Sequence, residues 1–163
     1  MRRKKLIVGI VILVIAIMVV IVGISEWTKP KEEVITVPVH IVDTTFYMER
    51  GEYKDIYFKL SEDHIRQIIL NYNYDYIDIT DVILRVDVYA DGKVSVDLNT
   101  YCTGKNFAAL LGEGSVIKTS YDLDYACWRL GQSYSLRIHN LDPAPDNVKV
   151  YAELIYTVHL KYR

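Results

Sequence analysis

Apolar and polar side chains alternate with a period of two along most of this chain. From Val148 to Tyr162, every even position is apolar or aromatic, whereas the odd positions include Lys149, Glu153 and Lys161. Because successive side chains of a β-strand point to opposite faces, this pattern predicts a half-buried antiparallel strand. The same pattern predicts further strands with these inward positions: Ile35, Val37, Val39 and Ile41; Ile56, Phe58 and Leu60; Ile68, Leu70, Tyr72 and Tyr74; Val82, Leu84, Val86 and Val88; Val94, Val96 and Leu98; Tyr121, Leu123, Tyr125 and Cys127; Tyr134, Leu136 and Ile138. We therefore predict an all-β fold, a two-sheet antiparallel β-sandwich of about eight strands.

The junction between two of these strands indicates a hairpin. A three-residue loop, Ala90-Asp91-Gly92, would pair Val88 with Val94 and keep the apolar positions of both strands on one face. This loop predicts a type I turn followed by a bulge with Gly92 at positive φ, which a residue without Cβ adopts at little cost.

Two further positions refine the prediction. Pro38 has no backbone N–H to donate, so its strand is expected at an edge of the sheet or at a bulge. Lys105 to Gly112 is the stretch in which we expect a short helix.

The N-terminal segment follows a different pattern. Leu6 to Ile24 comprises 19 residues without a charged or strongly polar side chain, and a helix of that length spans ~28 Å, which matches a bilayer. We predict a transmembrane anchor over residues 6–27, in contact with the lipid bilayer, and a basic cytoplasmic stub over residues 1–5. Cleavage as a signal peptide, near the small residues Gly23 and Ser25, is the alternative.

The positive-inside rule places the rest of the chain outside the cytoplasm. This part is predicted to form a short stalk, residues 28–33, and one domain, residues 34–163, of a single-pass protein of the cell membrane. Lys31 to Arg163 contains 14 Lys and Arg against 20 Asp and Glu, a net charge of −6. A domain of this charge is not expected to bind nucleic acid.

One segment resembles a known group of domains. Residues 128–140, WRLGQSYSLRIHN, carry a G-x-x-Y-x-L-x-I-x-N pattern and precede the final strand NVKVYAELIYTV. This combination resembles the closing strands of small jelly-roll modules such as GOLD domains and bacterial pre-peptidase C-terminal domains. The resemblance implies a jelly-roll sandwich that serves as a binding, sorting or accessory module rather than as an enzyme. Because the anchor is N-terminal, the chain departs from the GOLD-bearing cargo receptors.

The chain contains two cysteines, Cys102 and Cys127, and each falls on the inward phase of its predicted strand. In an oxidising compartment they would form a disulfide that contributes ~3–4 kcal/mol. Two buried free thiols are the alternative.

Sequence motifs of the common enzyme classes are absent. There is no Gly-rich phosphate loop, no G-x-S-x-G elbow and no zinc-ligand spacing among His40, His64, His139 and His159. We therefore expect no enzymatic activity and no required cofactor, although sequence spacing does not exclude the paired carboxylates of a glycosidase.

One tyrosine- and aspartate-rich stretch, Asn71 to Asp81, is a candidate ligand-binding surface. Its tyrosine rings could stack on sugars, or its carboxylates could bind calcium, although the spacing is not that of an EF-hand loop. The ordinary alternative is a strand end followed by a solvated turn. The candidate residues are Tyr72, Tyr74, Tyr76, Asp75, Asp78 and Asp81.

Two functions follow from these observations. The first is a membrane-anchored extracytoplasmic interaction module whose partner is another envelope protein, as an accessory subunit of an envelope assembly. The second is a domain that binds or hydrolyses cell-surface carbohydrate. Glycan-binding surfaces usually expose tyrosine or tryptophan side chains in a row. Such a row would favour the carbohydrate-binding function over the protein-interaction function.

Overall fold

The computed structural model describes residues 31–70, 76–102 and 104–162. All strand pairings in these ranges are antiparallel, so the fold is all-β, as predicted. A turn of 3-10 helix, Leu123–Ala126, follows the fourth strand. The elements are β1 (Lys31–Met48), β2 (Tyr53–Lys59), α1 (Glu62–Ile69), β3 (Tyr76–Cys102), β4 (Lys105–Asp122), β5 (Ser133–Asn140) and β6 (Asp146–Tyr162).

One sheet contains these six strands, in the order β1-β6-β3-β5-β2 with β4 on the other side of β3. Strand β3 changes its partner along its length, because residues 76–90 pair with β6 and residues 94–100 pair with β5. Strand β4 follows β3 through both parts. We call β1, β6 and the first part of β3 the front layer, and β2, β5 and the second part of β3 the back layer.

The two layers are not separate sheets. The prediction of two sheets with about eight strands is wrong in this respect, since β3 and β4 run through both layers and join them by hydrogen bonds. The inner faces of both layers nevertheless contribute to one buried apolar cluster, as in a sandwich. The molecule is therefore a curled, jelly-roll-like antiparallel sheet, in which strands turn the corner between layers at irregular positions.

The core confirms the period-two pattern in both layers. Among the described strands, β1 lies at an edge and pairs only with β6, as Pro38 predicted, and it has a bulge between His40 and Val42. Its inward residue Val37 is buried. The predicted inward positions of β3, β5 and β6 are buried, namely Val82, Leu84, Val86, Val88, Val94, Val96, Leu98, Tyr134, Leu136, Ile138, Val148, Val150, Ala152, Leu154, Tyr156, Val158 and Leu160.

The predicted hairpin at residues 90–92 is wrong, because the strand continues there and bends from one layer to the other. The carboxylate of Asp146 holds the bend: it accepts the backbone N–H of Asp91 at 2.7 Å and that of Gly92 at 3.0 Å. Gly92 does not have positive φ. A Cβ there would lie 2.6 Å from Oδ2 of Asp142, so glycine is needed for a close approach rather than for a turn.

Three other local predictions are wrong. The strand predicted at Ile68, Leu70, Tyr72 and Tyr74 is replaced at its start by helix α1, in which Ile65 and Ile69 lie one turn apart and are both buried; Tyr72 and Tyr74 lie outside the described residues. Lys105 to Gly112 belongs to strand β4 rather than to a helix. Tyr125 lies in the 3-10 turn and is 75% exposed, so it is not an inward strand residue.

The disulfide between Cys102 and Cys127 is confirmed, with 6.0 Å between the two Cα atoms. Cys102 ends β3 in the back layer, whereas Cys127 follows β4, whose last residue Asp122 pairs with Ile83 of the front layer. The bond therefore joins the two layers at the end opposite the bend. Cys127 is exposed and caps the 3-10 turn, so its predicted inward strand position is wrong.

The predicted anchor, residues 6–27, and the stub before it lie outside the described residues. In the part of the chain that is described, no helix has the length and apolar character that crossing a bilayer requires.

Candidate functional site

The outer face of the back layer carries three exposed tyrosines. Tyr53 and Tyr57 lie on β2, and Tyr101 lies on β3, with exposed fractions of 57%, 76% and 62%. They point outward because the alternate residues of these strands face the core. We call this surface the tyrosine face.

Strand register brings hydrogen-bonding side chains together beside Tyr57. Tyr57 pairs with Ser135 on β5, Ser135 pairs with Asn99 on β3, and Asn99 pairs with Ala108 on β4. These four residues form one row that crosses four adjacent strands. Since neighbouring strands are ~4.8 Å apart, the row is ~14 Å long.

A shallow pocket of about 240 Å³ opens on this row. The side chains of Thr100 and Tyr134 are buried and point inward, so these two residues form its floor. None of the seven residues around the pocket is charged, and the five that face outward have side chains that can donate or accept a hydrogen bond. The seven are Tyr57, Asn99, Thr100, Asn106, Ser133, Tyr134 and Ser135.

Asn99 has an unusual environment. Its Nδ2 is buried and has no hydrogen-bond partner among the described residues. An unpaired buried amide costs about 1–3 kcal/mol, so this donor is a candidate for a hydrogen bond to a water molecule or a ligand. Because Nδ2 is buried, an acceptor oxygen in the pocket would satisfy it after a turn of the Asn99 side chain.

The floor of the pocket is held from below by Gln132. Its Nε2 donates to Oγ1 of Thr100 and to the carbonyl oxygen of Tyr101, each at 2.7 Å. The hydroxyl of Thr100 in turn donates to the carbonyl oxygen of Ser133 at 2.8 Å. These bonds connect β3 to the start of β5, next to the disulfide at Cys102.

A charged row borders the pocket on the side nearer the bend. Arg137 on β5 makes a bidentate ion pair with Asp55 on β2, at 2.8 Å from Nε and 2.9 Å from Nη2. Hydrogen bonding to this guanidinium lowers the pKa of Asp55 below its usual value. Asp97, which pairs with Arg137 from the other side, has a raised pKa because it is partly buried.

The ring of Tyr53 is partly covered by neighbouring side chains. Its ring stacks on His139 with 4.2 Å between the centroids, and the guanidinium of Arg137 lies 5.6 Å from the ring centroid. Tyr57 makes a single long contact in the described part of the chain, from its hydroxyl to Asp55 at 3.5 Å. Tyr57 therefore presents the more accessible ring of the two.

The candidate surface that the sequence suggested lies elsewhere. Asp78 and Asp81 are on the first part of β3, paired with His159 and Thr157 of β6, so they belong to the front layer and not to the tyrosine face. Within the described ranges, no group of three His, Cys, Asp or Glu side chains could hold a metal ion. Tyr76 begins β3, and Tyr72, Tyr74 and Asp75 lie outside the described residues.

The G-x-x-Y-x-L-x-I-x-N segment has a structural role. Tyr134, Leu136 and Ile138 are core residues of β5. Asn140 is buried, donates from Nδ2 to the carbonyl oxygen of Ala144 at 3.0 Å, and accepts the backbone N–H of Asp142 at 2.9 Å. The segment therefore shapes the loop between β5 and β6 near the bend.

No protein-family model matches the chain, including those of GOLD and pre-peptidase C-terminal domains, and no curated protein sequence is similar to it. The solved structures that resemble it are β-sandwich and jelly-roll proteins. Turnip yellow mosaic virus protein is 12% identical, with 82% of each chain covered and a TM-score of 0.42. The Triatoma virus empty capsid is 11% identical over 77% of this chain and 90% of that chain, with a TM-score of 0.43.

A family 29 carbohydrate-binding module is 12% identical over 76% of this chain and 86% of that chain, with a TM-score of 0.37. Scores this low carry no argument about function.

Proposed function

We propose that this protein is a carbohydrate-binding module that takes a neutral oligosaccharide in the pocket beside Tyr57. The supporting observation is the composition of the pocket, whose five outward-facing residues are uncharged and carry hydroxyl or amide groups, namely Tyr57, Asn99, Asn106, Ser133 and Ser135. A ligand complementary to it is uncharged and rich in hydroxyl groups. Neutral sugars have this chemistry.

Two groups have defined roles in this proposal. The ring of Tyr57, 76% exposed, stacks against the C–H side of a sugar ring, because the face of an aromatic ring carries partial negative charge. The side chain of Asn99 turns toward the ligand, and its unpaired Nδ2 then donates to a sugar oxygen. The serine and Asn106 side chains around the pocket bind further hydroxyl groups.

The row length supports an oligosaccharide rather than a single sugar. Tyr57 and Asn99 both line the pocket and lie two strand spacings apart, ~10 Å, which exceeds the width of one sugar ring. We expect affinity to rise from a monosaccharide to a trisaccharide.

The location that we propose for the module rests on the sequence. Residues 6–27 anchor the protein in the cell membrane, and the acidic domain lies outside the cytoplasm, where surface glycans are available. In this arrangement the protein binds carbohydrate and does not catalyse its hydrolysis. A protein partner in the envelope is the other candidate, and the following experiment separates the two.

The test is a glycan array probed with the full-length chain in detergent micelles, followed by isothermal titration calorimetry with the neutral oligosaccharides that bind. Tyr57→Ala and Asn99→Ala should each weaken binding about tenfold, equivalent to about 1.4 kcal/mol. Tyr47→Ala is the matched control, because Tyr47 is also an exposed strand tyrosine, at 54%, but lies on β1 of the front layer.

An array without any neutral glycan signal would overturn the proposal, as would equal losses for Tyr57→Ala and Tyr47→Ala. Binding restricted to acidic glycans would also contradict it and would point to Arg137 instead. If glycans fail and membrane proteins are retained in a Tyr57-dependent manner, the face is a protein-binding surface.

A further inference from the structure

The disulfide and Gln132 form one connected brace beneath the pocket. Cys102 is the residue after Tyr101, and its bond to Cys127 fixes the end of β3 to the turn that follows the 3-10 helix. Gln132 donates to Thr100 and to the carbonyl oxygen of Tyr101 immediately before that point. The last three residues of β3 are thus held by a covalent bond and two hydrogen bonds.

The turn that carries Cys127 is itself fixed. Nε1 of Trp128 donates to Oδ1 of Asp124, and the backbone N–H of Trp128 donates to the carbonyl oxygen of Leu123 at 3.2 Å. Trp128 also packs against the apolar core. The disulfide therefore connects the end of β3 to a rigid anchor point rather than to a free loop.

Thr100 transmits this restraint to the pocket. It forms part of the pocket floor, and its hydroxyl bonds both Gln132 and the carbonyl oxygen of Ser133, which also lines the pocket. A shift of the end of β3 would therefore move the floor and alter the spacing between Asn99 and Asn106. These two side chains lie on opposite sides of the β3–β4 connection.

We propose that the Cys102–Cys127 disulfide and Gln132 are positioning elements that preorganise the oligosaccharide pocket, so that ligand affinity depends on them separately from overall stability. The inference rests on the proposed function. Its physical basis is that ordering a site before binding removes the entropy cost that the ligand would otherwise have to offset.

The disulfide can be opened without unfolding agents. Cys127 is exposed, and an open pocket of about 230 Å³ borders the bond. A water-soluble phosphine reductant would cleave the S–S bond, take up the oxygen of one water molecule as phosphine oxide, and leave two protonated thiols. This gives a reversible perturbation of the wild-type chain.

The test measures affinity and local order in the full-length chain in detergent micelles. Phosphine-treated protein and Gln132→Met, which keeps the side-chain length but loses both donors, should each bind the best neutral oligosaccharide of the array about tenfold more weakly. Leu154→Ala is the control for stability, because it destabilises the front layer and leaves the brace intact. It should bind with wild-type affinity below its melting temperature.

Hydrogen–deuterium exchange provides a readout without ligand. Relative to the core amides of β6, the backbone amides of residues 100–102 should exchange at least tenfold faster in reduced protein and in Gln132→Met, but not in Leu154→Ala. Removal of the phosphine and reoxidation should restore both affinity and protection.

The possible failures are distinguishable. If wild-type protein binds no glycan, the proposed function fails, and exchange at residues 100–102 still decides whether the brace exists. If glycans bind but reduced protein and Gln132→Met keep wild-type affinity, the positioning role is wrong and the proposed function stands. Equal affinity losses in Gln132→Met and Leu154→Ala would show that only overall stability was changed, which also rejects the inference.

Discussion

Strand β6 allows a direct test of the sandwich, because adjacent residues on it have opposite environments. Leu154 is 1% exposed and pairs with Leu84 of β3 and Val39 of β1, at the centre of the front layer. Glu153 points to the outer face, where its carboxylate lies 3.4 Å from Nη1 of Arg85. Leu154→Ala and Glu153→Ala therefore probe the two faces of one strand.

The two substitutions should differ clearly in cost. Leu154→Ala removes buried methyl groups and leaves a cavity, which costs ~2–5 kcal/mol. Glu153→Ala removes an ion pair with a half-exposed Arg85 and a hydrogen bond from the hydroxyl of Tyr151 at 2.8 Å. The side chain of Glu153 is 14% exposed and that of Arg85 50%, so this ion pair lies at the surface, where such pairs contribute under ~1 kcal/mol, and a hydrogen bond contributes ~0.5–1.5 kcal/mol. We expect a loss of about 1 kcal/mol for Glu153→Ala.

Urea unfolding of residues 31–163, followed by circular dichroism, measures both losses. This fragment is suitable because the core residues in the described part of the chain lie between Val37 and Leu160. Tyr151→Phe separates the hydrogen bond from the ion pair. Equal midpoint shifts for Leu154→Ala and Glu153→Ala would refute the strand assignment and the core built on it.

Three further predictions concern the bend, the charged row and the anchor. Gly92→Ala places a Cβ 2.6 Å from Oδ2 of Asp142 and should cost ~1–3 kcal/mol in urea unfolding, and Asp142→Ala in the same chain should recover part of that loss. The pKa of Asp55, measured by carboxyl NMR titration, should lie below 3.8 and should rise in Arg137→Leu. Because this pKa is lowered in the folded state, the carboxylate stabilises the fold above pH 3.8. This contribution disappears as the pH falls through the folded-state pKa. If residues 6–27 anchor the protein, protease added to spheroplasts should leave a small N-terminal fragment, and full protection would contradict the topology.

The inner faces were predictable from sequence because burial leaves a signal within each strand. Every inward residue of β6 from Val148 to Leu160 is buried, and the alternation is visible without knowledge of any partner strand. Pro38 predicted an edge strand for a similarly local reason, its missing N–H.

The bend was not predictable because two structures satisfy the same pattern. A hairpin at residues 90–92 and a strand that continues past them both keep Val88 and Val94 on one face. The difference depends on Asp146, which lies 54 residues after Gly92 and binds its backbone N–H. Helix α1 was missed for a related reason, since Ile68 and Leu70 match a strand phase while the buried residues Ile65 and Ile69 have helical spacing.

The tyrosine face was not predictable, because the period-two pattern shows which residues face inward and not which outward-facing residues lie side by side. The candidate ligand-binding surface in the sequence was the stretch of interleaved tyrosines and aspartates between Asn71 and Asp81. The row at Tyr57 runs across strands, where its neighbours Ser135 and Asn99 are far away in sequence. Their proximity depends on the registers of β2 with β5 and of β5 with β3, which outward-facing polar residues do not specify. A slip of two residues in either register would leave every apolar residue facing inward and would separate Tyr57 from Asn99. A surface site of this kind therefore becomes visible only when strand pairing is known, whereas the core that supports it can be predicted from each strand alone.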